Sequence, residues 1–227
     1  GDCEVWYNEG SAPEGPIKHD KVCDMINRGI NASAGMLVEN PNSRNTYKMG
    51  MDNLNFRKDS GRGVGSEVRS IILSKMEIAR EDTVCVIGGE SLAIEAAFMA
   101  SEGTVIAVEY NHRNRDAMMD NMAYFDLRNM KITDHVDGET FENYPIPSVA
   151  FLVASASMEQ EIKFLLSLNP QMNLVIYTLD LSVAGAMRGI LEANGIKEAE
   201  VIQVAVSKLN AKNAFDVQPA PWIITGK

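Results

Sequence analysis

The chain has 227 residues, about the length of one large domain or one and a half. With 45% hydrophobic and 23% charged residues it can bury a core, which excludes a disordered, collagenous or disulfide-stapled chain. Its 31 acidic against 21 basic residues give a formal net charge of -10, which argues against a nucleic-acid or anionic-membrane surface spread over the whole body but leaves room for a local basic pocket.

In chain order, Asp2 to Tyr7 reads as a short strand. The spacing of Ile17, Val22, Met25 and Ile26 predicts a helix over Ile17 to Arg28 that stops at Gly29, and Gly35 to Val38 reads as a second strand. Residues 1–46 are too few to hold a core of their own and are expected to be the end of a preceding domain. Asn40-Pro41 opens a polar stretch that includes Asp59-Ser60-Gly61-Arg62-Gly63, and residues 47–65 read as a linker.

From Ser66 the pattern becomes regular. A helix over Ser66 to Lys75 leads to the apolar run Thr83 to Ile87, which ends in Gly88-Gly89. A helix over Ser91 to Ala100, a turn at Glu102-Gly103 and a run from Thr104 to Val108 follow, the run ending in Glu109. A helical stretch covers Asn114 to Phe125. The remaining predicted strands are Met130–His135, Ser148–Val153, Asn173–Tyr177, Val201–Val206 and Trp222–Thr225, with helices over Met158–Leu168 and Leu181–Asn194.

Strands that read as continuous Val, Ile and Leu runs are covered on both faces, the signature of a mostly parallel sheet between helices. Right-handed crossovers then favour a doubly wound order. No helix is evident between Ser207 and Pro221, so the last two strands are expected to pair antiparallel. The predicted fold over 66–227 is therefore α/β: a doubly wound, seven-stranded, mostly parallel sheet with a C-terminal antiparallel hairpin. This is the Rossmann-like architecture of class I S-adenosylmethionine methyltransferases.

In such a sheet ligands bind at the carboxyl ends of the strands. Gly88-Gly89-Glu90-Ser91 is a tight turn that lets backbone amides approach a ligand at a helix N-terminus, although glycines also occur in turns for steric reasons alone. Glu109 ends the next strand about 20 residues on, where a carboxylate can accept hydrogen bonds from both ribose hydroxyls; a solvated strand end is the plainer alternative. Asp137-Gly138-Glu139-Thr140 follows the third strand, where it would flank an adenine or serve as an ordinary turn.

His19, His112 and His135 share no metal-ligand spacing with a cysteine or carboxylate, so no metal site is expected. Met118, Met119 and Met122 read as helix packing. Arg62, Arg69, Lys75, Lys208 and Lys212 are either solvated surface or compensation for a polycarboxylate substrate near the mouth of the sheet. Cys3, Cys23 and Cys85 are odd in number and widely spaced, which favours a reducing, cytoplasmic setting. The longest apolar run, near Ile94, falls far short of the roughly 20 residues a membrane span needs.

From Gly61 onward the chain resembles the decarboxylating half of the precorrin-6Y C5,15-methyltransferase family. The resemblance rests on Ser66-Glu67-Val68-Arg69-Ser70-Ile71-Ile72-Leu73-Ser74-Lys75, Ile94-Glu95-Ala96-Ala97, Val108-Glu109 and the ending Pro221-Trp222-Ile223-Ile224-Thr225-Gly226. Tyr7-Asn8-Glu9-Gly10 through Val38-Glu39-Asn40-Pro41 is similar to the end of a tetrapyrrole methylase domain. The resemblance implies S-adenosylmethionine as cofactor, a tetrapyrrole substrate methylated on a ring carbon with loss of an acetate carboxyl, and assembly into a homo-oligomer such as a tetramer. It places cofactor contacts at Gly88, Gly89, Glu109 and Glu139, and nominates no general acid or base.

Against the family pattern, Val86-Ile87-Gly88-Gly89-Glu90-Ser91 is a shorter glycine loop without the usual aspartate, Gly63-Val64-Gly65 replaces Ile-Thr-Lys, and Ala154-Ser155-Ala156-Ser157 replaces a glycine-rich loop. These departures keep a second reading open, a catalytically degenerate scaffold that supports a fused methylase or an assembly. A nicotinamide-dependent dehydrogenase is weaker, because no Gly-x-Gly-x-x-Gly fingerprint is present.

Overall fold

In the computed structural model, which describes residues 3–29, 35–41, 49–57 and 64–227, the leading residues form a three-stranded antiparallel sheet. Its strands are β1 (Glu4–Asn8), β2 (Ile17–Lys21) and β3 (Met36–Glu39), in the order β2-β1-β3. The predicted first and second strands are thus present. The helix expected over Ile17 to Arg28 is not: Ile17–Lys21 pairs residue for residue with β1, and only Val22–Met25 (α1) is helical. Its helical spacing relied on apolar residues beyond Lys21, while the ladder with β1 pairs all five strand residues and stacks Trp6 on its cross-strand neighbour His19 at 4.5 Å.

The chain divides into two compact units, Gly1–Tyr47 and Lys48–Lys227. The second begins its regular structure with α2 (Ser66–Met76), followed by β4 (Thr83–Ile87), α3 (Glu90–Met99), β5 (Thr104–Val108), α4 (His112–Tyr124) and β6 (Met130–Thr133). Next come α5 (Gly138–Phe141), β7 (Val149–Val153), α6 (Met158–Leu168), β8 (Asn173–Thr178), α7 (Leu181–Ala193) and β9 (Ala199–Gln203). A small ribbon of β10 (Ser207–Leu209) and β11 (Phe215–Val217) then leads into β12 (Trp222–Gly226).

The seven-stranded sheet runs β6-β5-β4-β7-β8-β12-β9, and β12 alone runs against the direction of the other six. The predicted closing hairpin is present as β9 with β12, but β12 inserts between β8 and β9 rather than standing at the edge. Alternating residues of one strand feed the two cores. Val84 and Val86 pack in the layer built on α2 and α3, while Cys85 and Ile87 pack in the layer built on α6 and α7. Burial on both faces explains why the parallel strands read as unbroken apolar runs. Among the described residues no helix is long and apolar enough to cross a membrane.

Residues 49–57, which the sequence reads as part of a linker, instead pack on the second unit around a buried ion pair. Arg69 on α2 and Glu95 on α3 have side chains with no exposure, and Arg69 Nε donates to Glu95 Oε1 at 2.6 Å. Glu95 also accepts from the Gly50 and Met51 amides at 2.7 and 3.0 Å. Arg69 Nη1 donates to Asn53 Oδ1, the Val64 carbonyl and Ser91 Oγ, and Nη2 to the Met51 carbonyl. The guanidinium lies 5.0 Å from the centre of the Phe56 ring. The remaining linker positions 47–48 and 58–63 fall outside the described residues.

Removing one member of a buried, fully bonded pair strands the other charge in the core. Glu95→Ala is therefore expected to lower stability by about 3–5 kcal/mol, read from urea unfolding. A loss within the error of the wild-type value would show that the pair does not hold the segment to the domain.

Candidate functional site at the carboxyl ends of the parallel strands

The central strand β4 ends in the glycine turn. The Gly88 amide donates to the Val108 carbonyl at 3.0 Å, which keeps the turn tied to β5, and Gly88 adopts φ +74. A Cβ on Gly88 would stand 3.3 Å from the Val153 Cβ, and one on Gly89 would stand 3.0 Å from Phe151 Cε1. Gly88 is held to glycine by its left-handed backbone, and a side chain at either position would crowd Val153 or Phe151. The turn sits between the ends of β5 and β7 and opens into the ten-residue helix α3.

Glu109 lies one residue beyond β5, half-buried, with its amide bonded to the Thr133 carbonyl of β6 at 3.0 Å. One carboxylate oxygen accepts from the Asn111 amide at 2.9 Å, and the other has no partner among the described residues. The strand order therefore brings Gly88 and Glu109 to adjoining strand ends. Glu139 is exposed on α5, past the end of β6, and Asp137 is the residue that caps α5, accepting from the Thr140 amide at 2.8 Å. That hydrogen bond holds the Asp137 carboxyl below its usual range.

Several residues that the sequence did not single out organise this rim. Arg115 on α4 donates to the carbonyls of Glu109 and Tyr110 at 2.9 and 3.1 Å and lies 3.4 Å from Asp134, so it braces the loop after β5 against the loop after β6. The Tyr110 hydroxyl donates to Glu161 Oε1 at 2.6 Å, and Ser157 Oγ donates to the same oxygen at 2.7 Å. Burial, followed by the hydrogen bond to Glu161, raises the Tyr110 phenol well above its ordinary value. The only sequence signal for this cluster is an acidic residue on the otherwise apolar face of α6, Glu161 beside Met158, Ile162 and Leu165.

Glu90 carries its charge away from a simple solvated position, because its Oε1 accepts from the buried Asn121 Nδ2 at 2.7 Å. The same amide clamps Arg57 through bonds to its N–H and carbonyl. Of the basic residues considered for substrate compensation, Arg69 is consumed by Glu95, Lys75 is paired with Glu200, and Lys208 is paired with Glu67. Lys212 sits in the turn of the β10–β11 ribbon, and Arg62 falls outside the described residues. Of the methionines read as packing, Met118 is buried and Met122 partly buried, whereas Met119 is exposed.

A family model described as a precorrin methyltransferase domain matches residues 55–220. No curated protein matches the chain significantly. Among solved structures, a precorrin-6y C5,15-methyltransferase from Geobacter metallireducens is 25% identical with a TM-score of 0.73, over 80% of this chain and 99% of that one. A precorrin 8W decarboxylase from Methanobacterium thermoautotrophicum is 16% identical with a TM-score of 0.67, over 78% of this chain and 99% of that one. The C-terminal domain of a Rhodobacter capsulatus precorrin-6Y C5,15-methyltransferase is 17% identical with a TM-score of 0.64, over 80% and 98%. At those two lower identities the likeness concerns the fold. The family match covers more than half of the chain, its sheet has the strand order of S-adenosylmethionine-dependent methyltransferases, and its glycine turn stands beside a carboxylate at the strand ends: this chain belongs to the precorrin methyltransferase domain family.

Proposed function

We propose that the chain is an S-adenosylmethionine-dependent methyltransferase of cobalamin biosynthesis that methylates a precorrin ring carbon and removes the carboxyl of an acetate side chain. The observation that carries the reading is the pairing of a side-chain-free turn at Gly88-Gly89 with a carboxylate at Glu109, on the adjoining strand end, of which one oxygen has no partner among the described residues. When bound, the cofactor supplies a methyl group already activated on a sulfonium centre. The protein's tasks are then to hold, orient and exclude water. Glu109 would hold the ribose hydroxyls, the backbone of Gly88 and Gly89 would face the methionine end, and Glu139 in the loop after β6 would flank the adenine. The Arg115 brace keeps the Glu109 backbone fixed while the carboxylate binds.

The competing reading is a scaffold with no catalytic role beside a fused tetrapyrrole methylase. The contact of Tyr110 with Glu161 favours it, because that bond ties the loop after β5 to the first turn of α6, on either side of the glycine turn.

We also propose that the protein is a homo-oligomer, on the grounds of an inverted ribbon. In the β10–β11 register, Leu209 faces Phe215 and Ser207 faces Val217, so these share one side, while Lys208 and Asp216 share the other. Lys208 reaches back to Glu67 on α2 at 2.7 Å. The apolar side is left facing outward, with Leu209, Phe215 and Val217 exposed by 58, 68 and 77%. A second copy of the same ribbon would cover it.

Isothermal titration is expected to show binding of S-adenosylhomocysteine, with Glu109→Ala weakening it roughly tenfold or more, the value of a lost hydrogen bond to a charged group. No heat and no thermal shift at millimolar ligand would reject the cofactor reading, and unchanged affinity in Glu109→Ala would reject the ribose assignment. For assembly, light scattering is expected to give a multiple of the chain mass that falls on Phe215→Glu. A monomeric wild-type protein would remove the oligomer.

A further inference from the structure

The carboxyl end of β4 is bridged from both sides. Tyr110 belongs to the loop after β5, and Glu161 to the first turn of α6 after β7, and these two strands are the hydrogen-bonded neighbours of β4. Their 2.6 Å bond therefore spans the strand whose end is the glycine turn. Burial first, and then the nearby Glu161 carboxylate, hold the Cys85 thiol of β4 above its ordinary value, as expected if Glu161 stands beside that strand. Gly88 itself touches the β7 side, with a Cβ position 3.3 Å from Val153, and is bonded to the β5 side through Val108.

The two partners differ in how they are held. Glu161 is 4% exposed, takes hydrogen bonds from two hydroxyls on one oxygen, and has no partner for its buried Oε2 among the described residues. A buried carboxylate in this state costs stability. Ser157, at the N-cap of the same helix, supplies a local bond, and its Oγ is itself 3.0 Å from Ser155 Oγ. Tyr110 is 49% exposed and its side chain can leave without opening the core.

We propose that the Tyr110–Glu161 hydrogen bond is a clasp beside the cofactor's path, one that a nucleoside entering at Glu109 has to displace. The inference rests on the cofactor reading given above. Tyr110 follows Glu109 directly, so a molecule whose sugar sits on Glu109 and whose far end reaches Gly88-Gly89 would meet the phenol that runs from there toward α6. Binding then competes with the clasp, and apparent affinity is reduced by the fraction of molecules in which it is closed. Tyr110 is in this sense an affinity-setting residue, and Glu161 is its latch.

The test is a thermodynamic cycle on the full chain, with S-adenosylhomocysteine titrated into wild type, Tyr110→Phe, Glu161→Met and the double variant. Tyr110→Phe keeps the ring and removes the bond, so it is expected to bind severalfold to about tenfold more tightly. Glu161→Met is expected to do the same from the other end, and the double variant to gain no more than either single change, since both act through one bond. Wild-type binding that is equal to or tighter than that of Tyr110→Phe would overturn the clasp and leave the cofactor reading intact. Absence of binding in wild type, Tyr110→Phe and Tyr110→Ala alike would overturn the cofactor reading and the clasp with it. Tyr110 is half-exposed, so its variants decide the matter even if Glu161→Met does not fold.

Discussion

The buried pairing of Arg69 with Glu95 is the constraint on which the arrangement of the second unit depends. It joins α2 to α3, gathers the backbone of Gly50, Met51 and Val64, and reaches Ser91 in the first turn of the helix that follows the glycine turn. A guanidinium with five donors in a fixed fork suits this role, because it can satisfy several carbonyl and carboxyl oxygens that converge from different segments. The pair does not need to be a large net source of stability to matter. Each partner makes the other's burial tolerable, and together they fix where the start of α3 stands relative to β4.

From that fixed point the rim follows by strand order. Parallel strands deliver their carboxyl ends to one side, so Gly88, Glu109, the loop before Glu139 and the loop leading to α6 are neighbours without any contact specific to a ligand. Polar side chains then finish the rim in two ways. Arg115 and Asp137 fix the backbone and leave Glu109 and Glu139 able to present carboxylates, whereas Tyr110, Ser157 and Glu161 spend their polar groups on one another. The residues that finish the rim thus stand on the loops and first helical turns that follow the strands, not on the strands themselves.

The strands and long helices of the second unit were legible because their signal is local. Val84–Ile87 and Val105–Val108 are apolar without interruption, and the first ends in a glycine, Gly88, whose left-handed backbone favours that residue. Ile17–Lys21 was misread because its state is set by pairing with Glu4–Asn8, a partner that a window on the sequence does not contain. Arg69 was read as a solvated or substrate-facing cation for the same reason. Its carboxylate partner is 26 residues away, and a charged residue on an amphipathic helix looks alike whether it points to water or to Glu95.

By itself, the sequence determined the alternation of elements, the doubly wound class of the sheet, the glycine turn and the carboxylate at the end of the next strand, since each is written in residue types a few positions apart. Only the tertiary structure decided that residues 49–57 are held by Arg69 and Glu95, that β12 inserts between β8 and β9, and that Tyr110 crosses to Glu161. These features join residues distant in the chain, and the free energy that selects them comes from burying and pairing groups whose partners exist only once the sheet has formed.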